Sequence, residues 1–335
     1  MKRKQLTGKV KNLLLASGFY HLLRKVKPNK QAAILRYHAV VEESENDYTA
    51  RGIALSPVCF ERHVAFFKKY YNILPFSEII GRLEKEEPLP PNAVTFTFDD
   101  GYADNYRAAE ILHRHGGYGM FYIVTEAIDR TSRLWLAEVT VLIRRTQKNT
   151  LTLTTAEGET ILPLGSDEER TRAIRWVVKR IKSNDLSYRE NLRQQLVGQL
   201  GEEPLLKRVS DLMLTWEQVN TMLGWGMEIG SHTLTHLNLP NAQPMEAERE
   251  ISQSRRFLEA KLKRPADHFS YPNSGPYDYY NEKVRSLVVK AGYRSATTSY
   301  QGFAGKDSDL FALRRIRTVP ALSEVVHSLE WERWF

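Results

Sequence analysis

The chain has 335 residues, of which 42% are hydrophobic and 26% are charged, and its formal net charge is +8. These values are typical of a soluble globular protein with either one large α/β domain or two smaller ones, and the positive charge suits an anionic partner such as a membrane or nucleic acid. The single cysteine, Cys59, excludes an internal disulfide and a cysteine-based zinc site, so a metal site has to use His, Asp and Glu.

The N-terminal segment, residues 1–31, is basic and partly apolar, and nine of the basic residues fall in the first thirty positions. Its apolar run is short, contains His21, lacks a convincing cleavage site and is followed by Arg24 and Lys25, which disfavours a signal peptide. The run is also too short to span a bilayer. Two interpretations remain: an amphipathic helix lying on an anionic membrane surface, and a basic helix packed on its own domain.

The rest of the chain, residues 32–335, alternates strand-like apolar runs with helical patterns, which predicts a β/α architecture. Eight strands with interleaved helices indicate an α/β fold, an irregular or incompletely closed (β/α) barrel. The predicted strands are residues 32–38, 71–76, 93–99, 120–125, 226–232, 268–272, 293–298 and 313–319, and the predicted helices are residues 58–69, 106–115, 216–223, 245–262 and 281–291.

The alternation stops between about residues 131 and 211, which we interpret as an insertion in the barrel and not as a second catalytic domain. Its pattern predicts a hairpin that turns at Glu157 and Gly158, followed by helices over residues 167–181 and 188–200. An insertion after a barrel strand lies near the mouth of the barrel. Trp135, at its start, either faces this mouth or is a buried structural residue.

Polar residues stand where several predicted strands end, and these carboxyl ends form the catalytic rim of a (β/α) barrel. His38 ends the first strand, Asp99 and Asp100 end the third, His232 ends the fifth and Arg315 lies on the last. The segment YPNSG follows the sixth strand. Together these positions predict a site at one rim.

The segment SHTLTH places His232 and His236 four residues apart, on one face if the chain is helical there. Two imidazoles and one carboxylate are a common ligand set for catalytic zinc. With one of Asp99 and Asp100 on the metal, the other is free to accept a proton from water, whose pKa zinc lowers to roughly 7. The alternative for the aspartate pair is a turn and helix cap, although Asp104 is the more natural cap for a helix that begins at residue 105.

The segments FTFDDG and SHTLTH together resemble the polysaccharide deacetylases of the NodB-homology type, carbohydrate esterase family 4. The resemblance extends from about residue 32 to residue 319 and implies a metal-dependent deacetylase barrel. It implies that Asp99 is the general base and that Asp100, His232 and His236 bind the metal. FSYPNSG resembles the third motif of the family, which implies that the backbone amide of Asn273 binds the oxyanion.

Two features depart from the usual family pattern. The arginine that usually precedes the third motif and pairs with the catalytic base has no clear equivalent, because Arg264 lies in a connection between a helix and a strand. Arg315 is the better candidate to pair with Asp99. The alternative is that the arginines of the last strand simply alternate between the two faces of an edge strand. The C-terminal leucine-histidine motif that supplies the general acid is also absent, because His327 lies in a predicted terminal helix. A branch of the family carries the acid at the end of the first strand, which assigns this role to His38 in LRYHAV.

The resulting hypothesis is metal-dependent hydrolysis of N-acetyl groups on an amino-sugar polysaccharide or glycan precursor, with release of acetate. Zinc is the simplest metal, although cobalt, nickel or iron suit the same ligands. The alternatives are an amidase acting on a non-sugar acyl amide and a non-catalytic glycan or membrane-surface binder. Nucleic acid is disfavoured as a partner because the basic residues do not interleave with aromatic ones. We expect a cytoplasmic location or one at the inner face of the membrane, with an envelope-facing location still open.

Overall fold

A computed structural model describes residues 6–331 of the protein. Seven parallel strands close into a barrel in the order β1-β12-β11-β10-β9-β6-β5, and pairing of β1 with β5 completes the ring. The irregular (β/α) barrel predicted from the sequence is therefore confirmed. The strands are β1 Ala33–Tyr37, β2 Ala39–Val40, β3 Ala54–Leu55, β4 Asn72–Ile73, β5 Ala93–Phe98, β6 Gly119–Ile123, β7 Thr150–Thr155, β8 Gly158–Pro163, β9 Glu228–Ser231, β10 His268–Ser270, β11 Ser295–Gln301 and β12 Leu313–Arg317.

All eight predicted strands form, but one of them lies outside the closed ring. Strand β4 is only two residues long and pairs with Ala93 and Val94 at the start of β5, whereas β6 pairs with the second half of β5. Pro75 then ends the strand pattern, because proline has no N–H to donate, and a helix begins at Phe76. The prediction of a longer strand over residues 71–76 was wrong for this reason.

Helices surround the barrel, and the five predicted ones form within one residue of their expected limits. Among the described residues, no helix is both long enough and apolar enough to cross a membrane. The helices are α1 Gly8–Ala16, α2 Phe19–Val26, α3 Pro57–Tyr70, α4 Phe76–Glu84, α5 Asn105–Arg114, α6 Thr125–Ile128, α7 Trp135–Arg145, α8 Asp167–Ser183, α9 Leu186–Leu200, α10 Glu203–Asp211, α11 Trp216–Gly224, α12 Pro244–Leu262, α13 Glu282–Lys290 and α14 Leu322–Glu330.

Side chains alternate along the barrel strands and so separate the core from the site. On β5, Val94, Phe96 and Phe98 pack in the large hydrophobic cluster shared with the surrounding helices. The residues between them, Thr95 and Thr97, point to the opposite face, as the period of two requires. The same period continues into Asp99, which therefore projects toward the barrel interior at the carboxyl end of the strand.

Between β6 and β9 the chain forms a unit with its own hydrophobic core. Helices α7, α8 and α9 pack with the hairpin β7–β8 around fourteen buried residues, including Val139, Leu153 and Leu196. The hairpin turns at Ala156 and Glu157, one residue earlier than predicted, and Gly158 adopts a positive φ of 112°. The two predicted helices of this segment form as α8 and α9.

The first two helices are attached to the last one. Arg24 of α2 forms an ion pair of 3.0 Å with Glu330 of α14, and both side chains are buried. The Tyr20 hydroxyl and His327 Nδ1 form a hydrogen bond of 2.9 Å. Lys11 of α1 reaches Glu324 at 2.5 Å. These contacts fix α1 and α2 against the barrel, and His327 lies in the predicted terminal helix.

Candidate metal and catalytic site

Three predicted metal ligands come together at the carboxyl ends of the strands. The ligand atoms of Asp100, His232 and His236 all lie within 4.8 Å of one another, and all three residues are buried. Asp100 Oδ1 lies 3.6 Å from His232 Nε2 and 3.4 Å from His236 Nε2. The convergence of these three side chains is thus a feature of the folded chain, as the strand-end rule predicts.

The turn that brings the two histidines together is not helical, so the spacing of four residues does not act through a helical face here. The chain leaves β9 at Ser231, and Thr233 and His236 then adopt positive φ angles of 69° and 58°. Thr233 Oγ1 accepts a hydrogen bond from the His236 N–H at 2.9 Å, and Ser231 Oγ accepts one from the Thr233 N–H at 3.3 Å. Short hydroxyl side chains thereby stabilise a tight loop in place of a helix.

The donor set fits a divalent cation. His232 Nδ1 lies 2.7 Å from the Ser270 carbonyl oxygen, which only accepts, so this nitrogen carries the proton and Nε2 offers its lone pair. Burial lowers the pKa of His232 to about 4, which keeps the imidazole neutral at pH 7. Two imidazole nitrogens and the Asp100 carboxylate are a ligand set that leaves a coordination position open for water or substrate.

Asp99 lies beside this triad and is held by Arg315 of β12. Arg315 Nη1 donates to Asp99 Oδ1 at 2.8 Å and Nη2 donates to Oδ2 at 2.7 Å. Burial by itself would raise the pKa of Asp99, but the Arg315 charge and the neighbouring imidazoles outweigh it and lower the pKa below its usual range. Arg315 therefore stands where the sequence prediction put it and does not simply face away on an edge strand.

His38 and Asn273 complete the predicted set. His38 Nε2 lies 3.8 Å from Asp99 Oδ2, and burial lowers the pKa of His38 to about 4 although both aspartates oppose this. Asn273 has a φ of 75°, and its N–H donates no hydrogen bond to a protein atom within residues 6–331. A backbone donor without a protein partner is what an oxyanion site requires.

Asp104 differs from its predicted role. It precedes the first residue of α5, but its carboxylate does not cap that helix. Oδ1 instead accepts from the Val40 N–H at 2.8 Å, and Oδ2 accepts from the Tyr48 hydroxyl. The next residue, Asn105, donates to the His38 carbonyl at 2.7 Å. Asp104 and Asn105 thus position the loop that carries His38, a role that local helix-capping rules do not reveal.

The unit between β6 and β9 is hydrogen bonded to the loop that carries His236. Trp135 is buried, and its Nε1 donates to the His236 carbonyl at 3.0 Å, so it supports this loop. Arg189 donates to the Thr235 carbonyl at 3.2 Å and to its hydroxyl at 3.0 Å. The Lys182 carbonyl accepts from the side-chain amide of Asn238 at 2.7 Å. Sequence reasoning missed Lys182 and Arg189, because no pattern in the sequence indicates contacts over this separation.

The comparison with protein families agrees with this geometry. A sequence model of the family described as polysaccharide deacetylase matches residues 86–296, which is more than half of the chain.

The chain belongs to the polysaccharide deacetylase family.

The matched range includes the metal triad, Asp99 and Asn273, whereas His38 and Arg315 lie outside it. Positions for these two residues come from the structure and not from the family match.

One curated relative supports this assignment over part of its length. YxkH of Bacillus subtilis (strain 168), whose name places it among the polysaccharide deacetylases, is 32% identical over 110 residues. This alignment covers 33% of the present chain and 38% of YxkH, so it spans well under half of either protein.

Solved structures of deacetylases share the fold. The Streptococcus pyogenes deacetylase PplD in complex with acetate superimposes with a TM-score of 0.57 at 20% identity, covering 88% of this chain and 94% of PplD. A de-N-acetylase from Aggregatibacter actinomycetemcomitans gives a TM-score of 0.53 at 18% identity, with 85% and 94% coverage. At this identity the similarity establishes the barrel architecture.

Proposed function

We propose that the protein is a metal-dependent hydrolase that removes N-acetyl groups from an amino-sugar glycan and releases acetate. The observation that carries this proposal is the convergence of Asp100, His232 and His236 beside the Asp99–Arg315 pair at one barrel mouth. Membership of the polysaccharide deacetylase family and the deacetylase fold of its structural relatives support it. Zinc is the metal that this ligand set suits most simply.

Each side chain has one task in this reaction. A divalent cation on Asp100, His232 and His236 would supply Lewis acidity at the acyl carbonyl and at the attacking water. Asp99 accepts a proton from that water as its oxygen adds to the carbonyl carbon. The Asn273 N–H faces the oxyanion that develops. Arg315 keeps Asp99 ionised and oriented before the attack.

His38 returns the proton that Asp99 takes from water to the leaving group. Its imidazole is neutral in the free site, because burial lowers its pKa to about 4, so it has to gain a proton before it acts as an acid. Asp99 Oδ2, a carboxylate oxygen that can carry the proton taken from water, lies 3.8 Å from His38 Nε2. His38 passes this proton to the sugar nitrogen as the carbon–nitrogen bond breaks, and acetate and the free amine leave.

Acetate release from N-acetylglucosamine oligomers tests this proposal. We expect the metal-loaded protein to release acetate, and Asp99→Asn to lose about 10²- to 10⁴-fold in kcat while it keeps its metal. An acyl amide without a sugar, assayed in parallel, distinguishes the amidase alternative. Absence of hydrolysis from every N-acetylated saccharide by the metal-loaded protein would leave the non-catalytic binder as the better explanation.

We also propose that the N-terminal helices bind an anionic membrane surface. The first 30 residues contain nine basic and no acidic residues, a charge of +9, so the remaining 305 residues carry −1 of the total of +8. Val10 and Leu13 of α1 are 39% and 68% exposed, and Leu22 and Val26 of α2 are 58% and 68% exposed. Apolar side chains beside lysines are typical of interfacial helices, and each lysine near the surface contributes about 1 kcal/mol.

Vesicle sedimentation tests this contact on the full chain. We expect binding to vesicles containing 30% phosphatidylserine and none to pure phosphatidylcholine vesicles. Leu13→Gln with Leu22→Gln should weaken binding at least tenfold, whereas Val289→Gln, an exposed apolar residue on α13, should not. Equal sedimentation with both vesicle types would contradict the electrostatic part of the proposal.

A further inference from the structure

The charges around the candidate site do not balance. Asp99 is paired with Arg315, and Asp100 faces the two histidines that would share a divalent cation with it. Two more cationic side chains lie close enough to act on these aspartates, Arg36 on Asp99 and Lys182 on Asp100. With a divalent cation bound, these groups together carry a charge of +3.

Arg36 is a second cation near the Asp99–Arg315 pair. It lies on β1 two residues before His38, so both side chains project from the same face of the strand. Its Nε is buried without a hydrogen-bond partner, and no ion pair or side-chain hydrogen bond of Arg36 occurs within residues 6–331. The nearby charges are those of Arg315, Asp99 and Arg317, and Asp99 is already occupied by Arg315.

Lys182 approaches the site from the unit between β6 and β9. It lies in the last turn of α8, where its carbonyl accepts from the side-chain amides of Asn238 at 2.7 Å and Asn241 at 2.9 Å. These two asparagines follow His236 in the chain, so the backbone of Lys182 is fixed to the loop that carries a metal ligand. Its ammonium lies 5.5 Å from the centre of the Tyr277 ring, and no ion pair of Lys182 occurs in the described chain.

Tyr277 belongs to the loop after β10, the loop that also carries Asn273. Asn273 in turn donates to Asn238 at 3.4 Å, so three segments meet around Lys182: the end of α8, the loop after His236 and the loop after β10. Lys182 is therefore held at the mouth where a substrate enters. Burial lowers its pKa to about 8, and the ammonium remains mostly protonated at neutral pH.

A half-buried cation that lacks an anion is costly, because the surroundings replace only part of its hydration. Asp100 does not compensate for Lys182, because a divalent cation would take up that carboxylate. The ring of Tyr277 compensates only in part, since the face of an aromatic ring carries no full negative charge. An oxyanion supplied by a ligand would satisfy the ammonium and also the excess positive charge of the mouth.

We propose that Lys182 binds an oxyanion, a carboxylate or a phosphate, on the glycan next to its N-acetyl group, with Arg36 supporting this anion from inside the barrel. The preferred substrate is therefore an acidic amino-sugar glycan and not a neutral one. The reaction on this substrate rests on the proposed deacetylase function, whereas the binding of the anion does not. The unit between β6 and β9 thereby contributes to substrate selection.

Matched pairs of saccharides test the proposal by equilibrium binding. The metal-loaded Asp99→Asn variant serves as the background because loss of the proposed base slows turnover by about 10²- to 10⁴-fold while substrate binding is measured. The carboxylate pair is N-acetylglucosaminyl-N-acetylmuramic acid against N,N′-diacetylchitobiose, and the phosphate pair is N-acetylglucosamine 6-phosphate against N-acetylglucosamine. We expect at least one acidic member to bind about tenfold or more tightly than its neutral partner.

Lys182→Met should remove this preference and leave the affinity for the neutral saccharide unchanged. Arg36→Gln should reduce the preference by a smaller factor. Lys179→Met, an exposed lysine one turn earlier on α8, is the matched control and should keep the full preference. Thermal unfolding of each variant confirms that it folds.

Equal affinity for the acidic and neutral members of both pairs would overturn the proposal, as would a Lys182→Met variant that keeps the preference. A variant that weakens both members equally would make Lys182 a structural residue, which also overturns it. Acetate release by the unmodified protein from the same saccharides separates this result from the proposed function. Hydrolysis without a preference for the acidic saccharides would support the deacetylase function and contradict the anion site. A binding preference for the acidic saccharides without hydrolysis would support the anion site and contradict the deacetylase function.

Discussion

Arg315 holds Asp99 with two hydrogen bonds of 2.8 and 2.7 Å across the width of one intervening strand. Arg315 lies on β12 and Asp99 follows β5, and β1 pairs with both of these strands. A paired fork of this kind fixes the orientation of the carboxylate as well as its charge. The pair therefore connects the last strand of the barrel, outside the matched family range, to the residue proposed to accept the proton.

Removing the Arg315 charge should move the pH dependence of the reaction. In Arg315→Met, the guanidinium no longer opposes the effect of burial, so the pKa of Asp99 rises. As the pH is lowered, Asp99 therefore becomes protonated at a higher pH than in the unmodified protein. We expect the acidic limb of the pH–kcat/KM profile to shift upward and stability to fall by about 3–5 kcal/mol. Arg314→Met, an exposed neighbour, is the control, and an unshifted acidic limb would contradict the pairing role.

The three proposed ligands should lose metal and activity together. Asp100→Ala, His232→Ala and His236→Ala each remove one donor of a three-donor set, so metal content after dialysis should fall with acetate release. Asp99→Asn should keep its metal, because Asp99 is engaged by Arg315. Metal analysis of the dialysed variants measures this, with His113→Gln on the surface as control. Full metal content in Asp100→Ala would show that another group supplies the oxygen ligand.

Trp135 should tune the metal affinity of the site. Trp135→Phe keeps most of the ring in the core but removes the Nε1–H that donates to the His236 carbonyl. Groups that orient metal ligands typically contribute 10- to 100-fold in affinity, so we expect a loss of about this size. A competition titration with a chelator measures it. Trp176→Phe, on α8 against Arg180, is the matched control; equal losses in both variants would show a general effect on the unit.

His63 should make the protein less stable in acid. It is fully buried between Tyr37 and the Pro320 carbonyl, and burial lowers its pKa to about 4 from the usual 6.5. Between these values the unfolded chain binds the proton and the folded chain does not, so the free energy of unfolding falls as the pH is lowered through this window. The slope from one such group is up to about 1.4 kcal/mol per pH unit.

His63→Gln should reduce the slope of the unfolding free energy against pH by the contribution of about one proton. Denaturant unfolding between pH 4.5 and 7 gives the slope for the unmodified protein and the variant, and the difference between them isolates His63. His113→Gln, an exposed histidine on α5, should leave the slope unchanged. Parallel curves for the unmodified protein and His63→Gln would show that another group causes the acid sensitivity.

Much of the barrel could be predicted from the sequence because its strands are short apolar runs with clear ends. The runs that end at His38, Asp99 and His232 place polar side chains where apolar packing stops, and parallel strands bring such ends to one rim. The combination of FTFDDG and SHTLTH also indicated the family that the family comparison then confirmed. By itself, the sequence therefore determined the fold class, the rim and the four side chains proposed as ligands and base.

Only the tertiary structure decided how these side chains are held. The loop from Ser231 to His236 is non-helical because hydroxyl groups satisfy its backbone, which a spacing of four residues does not reveal. The Asp104 carboxylate accepts from the Val40 N–H and does not cap its own helix, and the Lys182 carbonyl accepts from Asn238 in the loop after His236. The last two contacts join residues 64 and 56 positions apart, and the chain forms them only after packing has brought the segments together. Local sequence patterns encode the strands and their ends, whereas the partners of each buried charge depend on the closed barrel.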